Sequence, residues 1–121
     1  MKDCIFCKIV TEEKDKVLFS DPQCYVIYDK YPVEKGHMLV ISQQHYENLL
    51  AVPDELSSQM LSIAKKFAKK ALQEFGATGI NIVANNGRTA NQLIMHAHIH
   101  VLPRYPNTSG KSHYTIAGAK E

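Results

Sequence analysis

The feature that most restricts this chain is a set of apolar residues stepping by three, four and one: Leu56, Met60, Ile63, Ala64, Phe67, Ala68, Ala71, Leu72 and Phe75. That spacing keeps one face of an α-helix apolar, while Lys65, Lys66, Lys69 and Lys70 fall largely on the outer face. Pro53-Asp54-Glu55 opens the segment with Asp54 suited to cap the first turn, and Gly76 supplies a left-handed residue to end it. A helix of this kind must bury its apolar face against another layer.

Strands are the partner on offer. Residues 17–20 and 24–28 are β-prone runs separated by Asp21-Pro22, a turn pair, so a hairpin is expected. The loop 29–36 leads into His37-Met-Leu-Val-Ile-Ser42, a third strand buried over much of its length. After the helix, Gly79-Ile-Asn-Ile-Val-Ala-Asn85 reads as a fourth strand. Beyond the loop 86–91, a fifth runs from about 92 to 102 and is stopped by Pro103. The expected architecture is α+β: about five mostly antiparallel strands, the long helix packed across them, and one short helix. A length of 121 residues suits one compact domain, set here at 1–104, followed by a C-terminal tail, 105–121, without clear period.

The charge balance, 14 basic against 12 acidic residues without a polybasic run, gives nucleic-acid binding no support. No apolar stretch approaches the roughly 18 residues that span a bilayer, and the start lacks a signal-peptide pattern, so the expected compartment is the cytoplasm. Three cysteines in such a chain argue for reduced thiols or metal ligation over a disulfide framework, with Cys24 read as a buried thiol.

Alternation along the fifth strand places His96, His98 and His100 on one face, with Ala97, Ile99 and Val101 turned to the core. A strand has no structural need for a row of histidines. Besides chance accumulation on a solvated face, two functions compete for it: imidazole ligation of a metal ion, and attack on phosphorus by one neutral imidazole beside others that donate hydrogen bonds. Cys4-x-x-Cys7 is by itself half a metal site, with a redox pair and two buried thiols as its rivals.

Asn85-Asn-Gly-Arg-Thr-Ala-Asn-Gln92 followed by His96-x-His98-x-His100-Val-Leu-Pro-Arg104 resembles the signature of the histidine triad superfamily of nucleotidyl hydrolases and transferases. The resemblance covers residues from about 3 to 104. It includes the opening Cys4-Ile-Phe-Cys7-Lys-Ile9, Asp29 at the end of the second strand, the Gly36-His37 strand and the His45-Tyr46-Glu47-Asn48-Leu49 stretch. It implies a HIT-like fold and attack by His98 on the α-phosphate of a nucleotide conjugate. A covalent nucleotidyl-histidine would form and be hydrolysed to a nucleoside monophosphate, as in nucleoside phosphoramidases and dinucleoside polyphosphate hydrolases.

By the same resemblance His100 contacts phosphate oxygens, Gln92 lies near the bridging or leaving-group atom, and Asn85 and His37 support the site. Asp29 accepts from the ribose hydroxyls, and Ile5, Phe6, Ile9 and Ile27 form an apolar slot for a purine base. Many bacterial-type members complete a zinc site with the positions of His45 and His96, which assigns structural zinc to Cys4, Cys7, His45 and His96 and leaves His98 and His100 for phosphate. The family also implies a two-fold homodimer around the long helix and adjacent strand. One departure is Asn91, where the family usually has glycine. It gives weight to the alternative of a non-catalytic nucleotide-binding regulatory protein; a third reading is a metalloenzyme holding one ion on all three triad histidines. His113 is expected to be solvated in the tail.

Overall fold

The computed structural model describes residues 4–106. Their elements are α1 (Ile5–Glu12), β1 (Val17–Ser20), β2 (Cys24–Tyr28), β3 (Met38–Ser42), α2 (Asp54–Glu74), β4 (Gly79–Val83) and β5 (His98–Arg104). The strands form one five-stranded sheet in the order β1-β2-β3-β5-β4, and every neighbouring pair is antiparallel. The α+β architecture expected from the sequence is the one observed, with α1 as the short helix.

Period-two alternation divides the sheet into two faces. On one, Val26, Met38, Val40, Ile99 and Val101 pack with Leu56, Met60, Ile63, Ala64, Phe67, Ala68 and Ala71 of α2 in a single core cluster. On the other, Tyr25, Ile27, Leu39 and Ile41 pack with Phe6 and Ile9 of α1, and the Tyr25 hydroxyl donates to the Phe6 carbonyl, tying the short helix down. Each fully buried Leu, Ile, Met or Phe on the α2 face contributes about 1.5–3 kcal/mol of transfer free energy, so that layer anchors the sheet. Leu72, placed on the apolar face by spacing alone, is instead exposed.

Three local expectations are corrected. Pro53, not Asp54, sits at the N-cap of α2, and no side chain caps it. Asp54 is the first helical residue, where its charge and that of Glu55 still favour the positive end of the helix dipole. The fifth strand begins at His98 rather than near 92. The His96 N–H turns back to the Ile94 carbonyl at 2.9 Å and the Ala97 N–H goes to the Tyr46 carbonyl at 2.8 Å, so both leave the ladder. Finally, Pro103 does not stop β5; it pairs with Ile80 inside the strand. Arg104 turns its carbonyl toward β4 and accepts from the Thr78 N–H. Pro103 therefore turns its missing donor the other way, where pairing with β3 has already ended at Met38 and Val101. His113 and all of the tail except Tyr105 and Pro106 lie outside the described residues.

Candidate functional site

His98 and His100 project from β5 onto the α1 face of the sheet, opposite Ile41 and Leu39 in the register with β3. His98 is 4% exposed. Its Nδ1 lies 2.6 Å from the His96 backbone carbonyl. A carbonyl can only accept, so Nδ1 carries the proton and Nε2 keeps a lone pair. Burial lowers the His98 pKa more than the carbonyl raises it, so the ring is neutral at pH 7.

A second chain of bonds fixes the neighbouring rings. The Val33 N–H donates to His37 Nδ1 at 3.1 Å, which leaves the His37 proton on Nε2. That atom sits 2.9 Å from His100 Nδ1, so His100 accepts there and carries its own proton on Nε2. Burial, with His98 and His37 close by, pushes the His100 pKa down to about 2. The His98 and His100 ring centroids are 5.2 Å apart, which sets an imidazole with an available lone pair beside a neutral N–H donor. Asp29, almost fully buried, accepts the Tyr31 N–H on Oδ1 at 2.8 Å and brings Oδ2 to 3.4 Å from His37 Nε2. Burial lowers the His37 pKa, and Asp29 opposes that shift.

A cavity of about 740 Å³ opens beside these groups, and Ile5, Phe6, Ile9, Ile27 and Asp29 all line it. The edge of the Phe6 ring reaches the His98 ring, 5.1 Å between centroids. Ile5 is 53% exposed, so it belongs to an open slot and not to the core. Sequence reasoning missed Leu39, Ile94 and the ring of Tyr28 and Tyr31. Alternation gave a signal for Leu39, because it pairs with His100.

The loop after β4 bounds the site on its other side. Asn85 lies half-buried two residues past the end of β4. Gln92 is buried; its Oε1 accepts the Gly87 N–H at 2.8 Å, and its Nε2 donates to the carbonyls of Glu47 at 2.7 Å and Ile94 at 3.0 Å. Asn91 has φ +66° and is, among the described residues, the non-glycine residue in the left-handed region. Its exposed position and the tolerance of asparagine for that conformation explain how it stands where glycine was expected.

Cys4, Cys7, His45 and His96 form a second cluster, with ligand atoms all within 4.8 Å of one another. Cys4 Sγ is 3.2 Å from His96 Nδ1, and Cys7 Sγ is 3.4 Å from His45 Nδ1. The His96 Nε2 donates to the Ser42 carbonyl at 2.7 Å, so its Nδ1 lone pair faces the sulfurs. That outer hydrogen bond is the arrangement a metal-ligating imidazole uses. Two thiolates and two imidazoles suit tetrahedral zinc. Asp29, His37 and His100 also lie within 4.8 Å of one another, but there the His37 Nε2 proton points into the group, which makes a hydrogen-bonded relay and not a ligand set.

An antiparallel sheet with a long helix on one face, and paired imidazoles beside an apolar slot on the other, defines an α+β protein built around a histidine row. The chain belongs to the histidine triad family, since the HIT domain model matches residues 10–107. Relatives include the adenosine 5'-monophosphoramidase HNT1 of Candida albicans, 33% identical over 112 residues, 88% of this chain and 74% of that protein. The adenylylsulfatase HINT3 of Arabidopsis thaliana is 36% identical over 103 residues, 84% of this chain and 52% of that protein. Among solved structures, a zinc-bound histidine triad family protein from Mycobacterium smegmatis superimposes with a TM-score of 0.82 at 32% identity, covering 89% of this chain and 79% of that one. Some members of the family are therefore nucleotide hydrolases.

Proposed function

We propose that the chain is a nucleotidyl hydrolase that attacks the α-phosphate of a purine nucleotide conjugate and releases the nucleoside monophosphate. The observation that carries this reading is the 2.6 Å contact between His98 Nδ1 and the His96 carbonyl. It aims an available Nε2 lone pair beside the His100 N–H at the mouth of the apolar slot. In the first step Nε2 forms a bond to phosphorus, the bond to the leaving group breaks, and its electron pair departs with that group. The proton stays on Nδ1 and is donated to the His96 carbonyl, which stabilises the positive charge of the phosphorylated ring. The His100 N–H stabilises charge on a non-bridging oxygen. Water then attacks phosphorus and loses a proton to solvent, the P–N bond breaks with its electron pair returning to Nε2, and neutral His98 is restored. Asp29 accepts from the ribose hydroxyls, and the apolar slot takes the base; Asn85 and His37 support the phosphate side.

Zinc on Cys4, Cys7, His45 and His96 supplies a cross-link between α1 and the segment ahead of β5, and takes no part at phosphorus. No described helix is long and apolar enough to cross a membrane, and we place the protein in the cytoplasm. Exposed Leu61 on α2 and Ile82 on the edge strand β4 support a homodimer through that side, which molar mass by light scattering would check against a Leu61→Lys variant. The experiment that tests the activity is incubation of the wild type and His98→Ala with an adenosine phosphoramidate, following AMP by chromatography. Release that disappears in the variant is expected. Release that survives removes His98 from its role. Bound AMP without release in the wild type favours the non-catalytic binding protein, the reading to which Asn91 in the loop lends weight.

A further inference from the structure

Gln92 was expected from the sequence to reach the leaving-group side, yet its amide is committed to the protein. The carboxamide oxygen takes the Gly87 N–H, and both bonds from its nitrogen end on main-chain carbonyls, those of Glu47 and Ile94. The Gln92 N–H also returns to the Gly87 carbonyl at 3.0 Å, closing the loop on itself. Two further bonds run parallel. The Leu49 N–H donates to Asn86 Oδ1 at 2.9 Å, and the Ala97 N–H donates to the Tyr46 carbonyl at 2.8 Å. Residues 45–49 thus act as a strap that holds the loop at one side and the residue preceding His98 at the other.

We propose that Gln92 is a positioning residue: its side-chain amide locks the 86–92 loop to the strap and so sets the loop's backbone against the phosphate that His98 attacks. This rests on the hydrolase reading above. Both N–H donors of this amide end inside the protein, in a residue only 1% exposed, so it has no donor left for a leaving atom. A buried amide replaced by an apolar side chain leaves the Glu47 and Ile94 carbonyls and the Gly87 N–H unmade, and the loop opens.

The test uses Gln92→Met, similar in length and apolar, with Gln92→Glu, which keeps the acceptor for Gly87 but sets a carboxylate against two carbonyls. Three readouts are taken: AMP release from adenosine phosphoramidates with leaving amines of graded basicity, AMP affinity, and amide hydrogen exchange at Gly87 and Ala97 in the free protein. The expected result for Gln92→Met is a loss in kcat of roughly tenfold to a hundredfold that is equal across the amines, weaker AMP binding, and faster exchange at Gly87 with Ala97 still protected. Gln92→Glu is expected to lose kcat and AMP affinity likewise, with exchange at Gly87 less affected because its acceptor is kept. A loss that grows with amine basicity while AMP affinity holds would put Gln92 on the leaving group and overturn the proposal. Unchanged exchange at Gly87 in Gln92→Met would overturn it too, by showing that the amide does not hold the loop. Failure of the hydrolase reading looks different, because the wild type would then release no AMP while the exchange result still decides whether Gln92 locks the loop.

Discussion

The two histidine clusters are separated by a single residue on the chain, yet they differ in where backbone groups put the protons. At His96 the Ser42 carbonyl takes the Nε2 proton, so a lone pair faces Cys4 and Cys7. At His37 the Val33 N–H occupies Nδ1, so a proton faces His100 and Asp29. Residue type alone makes both groups look like metal sites; the tautomer separates a ligand set from a proton-donating relay. Backbone partners, not the count of histidines, decide which ring turns a lone pair and which a proton toward its neighbours.

The largest expected effect breaks the phosphate side alone. His98→Ala should lower AMP release by on the order of 10⁴ or more, with the far-ultraviolet circular dichroism and metal content of the wild type retained. Next comes the other cluster. If zinc occupies this cluster as proposed, at roughly a thousandfold above its Kd, its chelation, or Cys4→Ser with Cys7→Ser, should cost about 4 kcal/mol of unfolding free energy. Urea unfolding with and without chelator measures it.

A sharper probe of the comparison is His37→Leu. Without the His37 Nε2 donor, His100 can turn its lone pair toward the phosphate, and one unmade buried bond of about 1–3 kcal/mol should appear as a fivefold to hundredfold fall in AMP release. Metal content should not change.

Acid should act on both clusters, since burial also holds His96 down at about 4. Burial holds His100 at about 2, and lowers His37, against 6.5 for a freely solvated imidazole. Between those values the unfolded chain binds protons that the folded chain refuses. The stabilisation is complete above pH 6.5 and is lost as pH falls below it, by up to about 1.4 kcal/mol per pH unit for each ring. Urea midpoints from pH 7.5 to 5 should be flat at first and then fall, and the fall should be shallower in His37→Leu. The smallest effect belongs to Asn91→Gly, which relieves a φ of +66° but loosens the unfolded chain; a gain below about 1 kcal/mol is expected from thermal unfolding.

Periodicity made the sheet and α2 legible, because a strand or helix that buries one face repeats its apolar residues at a fixed interval. The hairpin strands 17–20 and 24–28 and the inward Ala97, Ile99 and Val101 follow from it directly. What sequence could not supply were bonds between distant backbone groups. Nothing near Ala97 indicates that its N–H goes to Tyr46, so β5 was drawn too long. Pro103 was read as a stop because the end of β3 beside it is a tertiary fact. The candidate residues for slot and metal cluster were nameable through the family motif, whereas the side chain of Gln92 finds its partner at Glu47, 45 residues away, and no local pattern marks that bond.

The group that orients His98 is a peptide carbonyl, that of His96, where many nucleophile-activating networks use a carboxylate side chain. No codon change can delete a carbonyl from the main chain. On the proposed hydrolase reading, the element that sets the reactive nitrogen is therefore shielded from point mutation, and loss of activity by drift would come through His98 itself, through the loop, or through a displaced bend at 94–97. Chemical synthesis with an ester in place of the peptide bond after His96 would weaken that acceptor and remove the Ala97 N–H that donates to Tyr46, while leaving every side chain unaltered, a perturbation that ordinary genetics cannot reach.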